Sequence, residues 1–83
     1  MSESLYIGEC PVCHHGRQVV RKLRGKEGFI IRCEECESEW ASPAMASDAS
    51  AAVLGRYDSD RLANRDDLKG HSWVEYVVNW DEL

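Results

Sequence analysis

A chain of 83 residues with a net charge of −5 is one domain, near the size at which an apolar core alone gives marginal stability and a metal or disulfide completes the fold. It has no apolar run near the roughly 20 residues of a membrane span, and its first residues lack the charged segment, apolar run and cleavage site of an export signal, so a cytoplasmic protein is expected. The charge is unevenly spread: six bases (Arg17, Arg21, Lys22, Arg24, Lys26, Arg32) against Glu27 give the stretch from 17 to 32 a charge of +5, leaving −10 for the rest. An acidic body repels phosphate and attracts basic partners.

In chain order, residues 1–9 read as a lead-in, with Leu5, Tyr6 and Ile7 packing beside a first cysteine pair, Cys10 and Cys13. Gly16 suits the tight turn after it. Residues 17–24 and 28–33 are rich in branched and aromatic side chains and are separated by Gly25-Lys26-Glu27-Gly28, which predicts a hairpin. Its second strand delivers the second pair, Cys33 and Cys36, and a third short strand is expected around Glu39, Trp40 and Ala41.

Ser42 and Pro43 then read as a helix cap and first helical residue, and Met45, Ala49, Ala52 and Val53 recur at helical spacing up to Gly55, so a helix is predicted over 43–54. Asn64 to Asp67 starts one short helical turn that Gly70 stops. In the tail, Ser72 and Glu75 match a capping box, and Trp73, Tyr76, Val77 and Trp80 fall on one helical face. The alternation of Val74, Tyr76 and Val78 leaves a strand as the competing reading. The fold class expected is α+β, a zinc ribbon of about three antiparallel strands (1–42) followed by C-terminal helices (43–83), in a single domain.

The chemistry lies in the cysteines. Two Cys-x-x-Cys pairs with nineteen residues between them predict one four-cysteine site, since a two-residue spacer lets a tight turn aim both thiolates at one ion and a second turn across a hairpin completes the tetrahedron. One structural Zn²⁺ held by Cys10, Cys13, Cys33 and Cys36 is the expectation, with iron in the same cage as the chemical rival. Cys10 to His14 also fits the haem-attachment pattern C-x-x-C-H, but that reading leaves Cys33 and Cys36 without a role. His14, His15 and His71 are expected outside the ligand set. Four thiolates close the metal's coordination shell, and the acids scattered between 58 and 67 read as solvated, so no catalysis is expected.

The two knuckles, the basic hairpin and Trp40 four residues after Cys36 resemble the zinc-ribbon superfamily with rubredoxin-like knuckles. More narrowly, the run from Cys33 to Pro43, the alanine-rich segment after it, Tyr57 and the tryptophan-containing tail are similar to small bacterial zinc-ribbon proteins, some of them candidate immunity proteins of polymorphic or contact-dependent toxin systems. That resemblance implies a protein that binds a toxin and blocks its active site.

Three functions follow. An immunity protein would present Glu34, Glu35, Glu37 and Glu39 to a basic toxin domain, with complementary charge speeding association. A nucleic-acid-binding ribbon would use Arg17, Arg21, Lys22, Arg24, Lys26 and Arg32 on phosphates and stack Phe29 on a base. A subunit of a larger assembly would dock through Trp73, Tyr76 and Trp80, although self-packing of that tail is the favoured reading.

Overall fold

The computed structural model describes residues 4–80, and its frame is one antiparallel sheet. Strands β1 (Tyr6–Glu9), β2 (Arg17–Leu23), β3 (Phe29–Cys33), β4 (Ser38–Trp40) and β5 (Val53–Leu54) lie side by side in that order. A sixth strand, β6 (Ser59–Leu62), pairs with the far half of the β2 edge that β1 occupies at its near half. The hairpin is in place: Val20 faces Ile31 and Lys22 faces Phe29, while Gly25 takes a φ of +64° in the turn, a conformation that costs glycine least.

The register sorts the side chains. Val20, Ile31 and Cys33 point to the packed face, where Leu5, Trp40, Ala46, Ala63, Leu68 and Val77 join them in one core. On the opposite face Val19 and Ile30 are buried, with Arg32 and Arg21 as their cross-strand neighbours. Among the described residues every buried side-chain nitrogen and oxygen has a hydrogen-bond partner, and no helix is long and apolar enough to cross a membrane.

The predicted helix over 43–54 does not form. The segment makes two 3₁₀ turns, Pro43–Met45 and Ala49–Ala51, and then the sheet strand β5. Its carbonyls bond outward: Gln18 Nε2 donates to the Ala46 carbonyl at 2.6 Å and Trp40 Nε1 to that of Asp48 at 3.0 Å. Asp48 accepts from the backbone N–H of Ser50 at 2.9 Å, starting a fresh turn where a helix would have to continue. Val53 and Leu54 then pair with Glu39 and Ser38, so the second half of the chain completes the sheet of the first.

The only α-helix among the described residues is α1 (Arg65–Leu68), at the turn expected from Asn64 to Asp67. Asn64 and Asp67 exchange reciprocal cap bonds of 2.9 Å, and Arg61 grips the same Asp67 carboxylate with two nitrogens. This holds Leu68 in the core.

Arg61 and the Asn64 N–H hold the Asp67 carboxyl down at about 2, below its usual value near 4. A depressed folded pKa contributes stability that is complete above the unfolded value and is lost as pH falls from about 4 through 2. Asp67→Asn is expected to cost ~1–2 kcal/mol at neutral pH through the lost cap and ion pair and to flatten this acid limb, which urea titrations at pH 7 and pH 3 will read.

The tail is not an α-helix either. Ser72–Tyr76 is a 3₁₀ turn whose cap is His71 Nδ1, accepting from the Trp73 N–H at 3.1 Å; the predicted Ser72 and Glu75 box is not made. Beyond it the backbone bonds to β1. The Val78 N–H donates to the Tyr6 carbonyl at 2.9 Å, and the Asn79 side chain accepts from the Tyr6 N–H and donates to the Ser4 carbonyl. Trp73, Val77 and Trp80 turn inward while Tyr76 is exposed, so most of the aromatic tail covers this domain's own core.

Candidate metal centre

Both knuckles are built alike. Each is closed by a backbone bond from the residue after its second cysteine to the carbonyl of its first, His14 to Cys10 at 3.0 Å and Glu37 to Cys33 at 3.2 Å. His14 and Glu37 both take left-handed backbone conformations, φ +59° and +64°, which side-chain-bearing residues adopt reluctantly. Nothing in their identity announced this, since glycine or asparagine is the usual signal.

Gly16 is needed, but for a reason other than its turn. Its φ is not in the left-handed region, and what requires glycine is space: a Cβ there would lie 2.6 Å from Cys33 Sγ and 2.8 Å from Glu35 Cγ. Gly16→Ala is expected to push the second knuckle off the first, weakening the metal by tenfold or more, about 1–3 kcal/mol of overpacking. Competition against a chromophoric chelator measures this, and an unchanged affinity would show that the knuckles tolerate the extra methyl.

The four Sγ atoms of Cys10, Cys13, Cys33 and Cys36 lie within 4.8 Å of one another. Cys10 and Cys36 approach to 3.7 Å, and Cys13 and Cys33 to 3.6 Å, each contact joining one knuckle to the other. Sulfurs placed ~2.3 Å from a tetrahedral ion are ~3.8 Å apart, whereas a disulfide would be ~2.05 Å. The donor set therefore fits one tetrahedral metal ion and not a pair of disulfides. No His, Asp or Glu joins the cluster among the described residues, so His14 and His15 stand outside it, both exposed.

Hydrogen-bond donors surround the sulfurs. The N–H of Val12 points at Cys10 Sγ (3.3 Å), that of His15 at Cys13 (3.5 Å), and those of Glu35 and Cys36 at Cys33 (3.3 and 3.4 Å). The Ser38 hydroxyl lies 3.2 Å from Cys36 Sγ. The His15 N–H, chiefly, lowers the Cys13 thiol to about 6, and burial pushes Cys33 up to about 12. Without a cation Cys33 keeps its proton; a divalent ion removes it by coordination. Cys10 and Cys33 are fully buried members of the hydrophobic core, which couples the metal to the packing of the sheet.

The structure redistributes the predicted partner-binding glutamates. Glu39 is not on a binding surface: it is 1% exposed, accepts from Arg32 Nε at 2.9 Å and from the N–H groups of Arg56 and Tyr57 at 3.0 Å each. Its neighbour Arg32 marked it only once β3 and β4 were paired. Glu34 is exposed but bonded to Arg17 Nε at 2.8 Å, which lowers its carboxyl pKa and raises that of Arg17. Glu35 and Glu37 are exposed, and neither has an ion-pair partner among the described residues.

The basic hairpin is divided. Arg17, Arg21 and Arg32 share one face, Lys22 lies on the other, and Arg24 and Lys26 sit in the turn region. Arg17 pairs with Glu34, Arg24 with Asp58 (3.4 Å) and Arg32 with Glu39, so half of these bases are neutralised within the molecule. Phe29 packs in an aromatic group with His71 (ring centroids 5.1 Å apart) and Trp73 (5.9 Å), which takes it away from the base-stacking role.

Fold and site together define a small antiparallel β domain built round a four-cysteine cluster positioned to hold one metal ion, compatible with a zinc ribbon. Comparison with known proteins finds no matching family model, no similar curated protein and no similar solved structure, so function rests on this chain's own geometry.

Proposed function

We propose that this chain is a zinc-stabilised protein-interaction module that works by binding rather than catalysis, and specifically an immunity protein that neutralises a basic bacterial toxin domain. The zinc reading is carried by the sulfur separations of 3.6 and 3.7 Å, which match a closed tetrahedron of thiolates. A closed shell leaves no position for an activated water, which supports a structural role for the ion. A reducing compartment suits four uncrosslinked cysteines.

Support for a basic partner comes from the charge of −5, from the exposed Glu35 and Glu37 beside the second knuckle, and from the resemblance to candidate immunity proteins. Zinc content is tested by native mass spectrometry of the protein as purified, expecting one ion per chain. The partner is tested by affinity capture of the zinc-loaded protein from its native lysate, with and without nuclease and at two salt concentrations.

A single stoichiometric basic protein whose toxicity is suppressed by co-expression supports the reading. With that partner, reversing the charge of Glu35 and Glu37 should slow association. Recovery of salt-sensitive nucleic acid instead would overturn the reading in favour of the hairpin's bases.

A further inference from the structure

On the sheet face opposite the core, β2 and β3 frame an open cleft of about 380 Å³ lined by Ser4, Val19, Arg21, Arg32, Glu34 and Glu37 among others. That volume is in the range of small-ligand sites, and the floor is the buried Val19. Three guanidinium groups share this face. Arg17 is matched by Glu34 and Arg32 by Glu39, but Arg21 has no carboxylate partner among the described residues.

What Arg21 does have is an anchor. Its Nε donates to Ser59 Oγ on β6 at 2.8 Å, which fixes the plane of the guanidinium at the cleft wall without using its terminal nitrogens. Burial, and secondarily the charge of Arg32, hold Arg21 below its usual pKa, so an arriving anion would relieve a charge that the fold holds at a cost. A planar fork with a fixed orientation suits a carboxylate, which it can bind through two parallel bonds.

The far end of the cleft decides which anion. Glu34 and Glu37 line it at the second knuckle, about four residues along the strands from Arg21, or ~13 Å, and since Arg17 matches Glu34 the unpaired charge there is that of Glu37. The unpaired negative charge of Glu37 disfavours a dianionic phosphate more than a monoanionic carboxylate.

The geometry points to a carboxylate-binding site in this cleft, with Arg21 as the binding residue, Ser59 as its positioning residue and Glu37 as the filter against phosphate. The inference is independent of the toxin reading. The carboxylate has two sources, a small carboxylic acid or an aspartate or glutamate side chain on a partner protein.

The test is an NMR titration of the zinc-loaded full chain with sodium acetate, inorganic phosphate, and a blocked peptide carrying one aspartate, against sodium chloride at matched ionic strength. The readouts are the Arg21 Nε–H resonance and the backbone amides of Val19 and Leu62. Acetate is expected to shift all three saturably, with phosphate binding more weakly. A tighter peptide assigns the site to a partner's side chain; a peptide no tighter than acetate assigns it to a small acid.

Arg21→Gln should abolish the amide shifts, and Ser59→Ala, which leaves the charge in place, should weaken them several-fold. Equal shifts with chloride, phosphate binding as tightly as acetate, or acetate shifts that persist in a folded Arg21→Gln protein would overturn the inference. The wild-type titrations decide the matter even if that variant does not fold.

Discussion

Stripping zinc from the loaded protein with excess chelator is expected to unfold the chain cooperatively. A structural four-thiolate zinc contributes on the order of 10 kcal/mol of apparent folding free energy near neutral pH, which is comparable to the ~5–15 kcal/mol net stability of a typical domain. The coupling is direct here because Cys10 and Cys33 are core residues, touching the same cluster as Val20, Ile31 and Trp40. Tryptophan fluorescence, to which the fully buried Trp40 contributes with Trp73 and Trp80, should report exposure as the metal leaves, with loss of sheet in far-UV circular dichroism at the same chelator concentration.

Cys33→Ser should behave as the chelated protein does even in excess zinc. Cobalt substitution of the wild type should give the intense absorption of a tetrahedral thiolate site, and the variant should not. Zinc affinity should also weaken as pH falls, since the ion must displace the proton that burial holds on Cys33, pushed up to about 12. A chain that keeps its circular dichroism and tryptophan emission in chelator would reduce the metal to an accessory.

Loss of the Glu39 carboxylate is expected to be the most damaging single change outside the metal centre. Glu39 is the hub of a small interior network: Arg32 from β3 bonds to it and to the Tyr57 carbonyl, and the N–H groups of Arg56 and Tyr57 end on its second oxygen. Glu39→Ala strands a partly buried guanidinium and two backbone donors at once and should cost ~3–5 kcal/mol. Glu39→Gln keeps an acceptor for the two N–H groups and should cost less, ~1–3 kcal/mol.

Removing the pair together tests the electrostatic origin of the loss. In the double variant Glu39→Gln with Arg32→Met the stranded charge is gone, and much of the stability should return. Urea midpoints at one fixed zinc concentration make the comparison valid, because bound metal shifts apparent stability by mass action. A Glu39→Ala midpoint within ~0.5 kcal/mol of wild type would place the carboxylate among ordinary surface acids.

Glu39 also shows why part of this site was illegible. In the sequence it is one of four glutamates within six positions, a pattern that reads as a solvated acidic face. Its burial depends on β4 lying beside β3, with Glu39 opposite Arg32, and on the loop at 56–57 folding over it. The same pairing removed Arg32 from the basic surface, as Glu34 removed Arg17. What remains exposed and unpaired, Glu35 and Glu37, is a smaller acidic patch than the sequence promised.

The helices failed for a related reason. Residues 43–54 have helical spacing, but a helix needs its carbonyls for its own N–H groups, and Gln18 and Trp40 reach across the core to take those of Ala46 and Asp48. In the tail, backbone and Asn79 groups that a helix would have turned to its own axis or to solvent satisfy β1 instead. Periodicity registers which residues turn inward, and there it was right about Trp73, Val77 and Trp80; it does not register which distant group claims a backbone bond.

The sequence by itself determined the four-cysteine cluster, the hairpin that carries it and the turn at Asn64 to Asp67, because each is a local arrangement in which spacing or a cap chooses the backbone conformation within a few residues. Only the tertiary structure decided that Gly16 must be glycine for want of space, that Glu39 is interior, and that the second half of the chain completes the sheet. Those outcomes depend on atoms brought together from distant positions, where contact and hydrogen-bond competition override local preference.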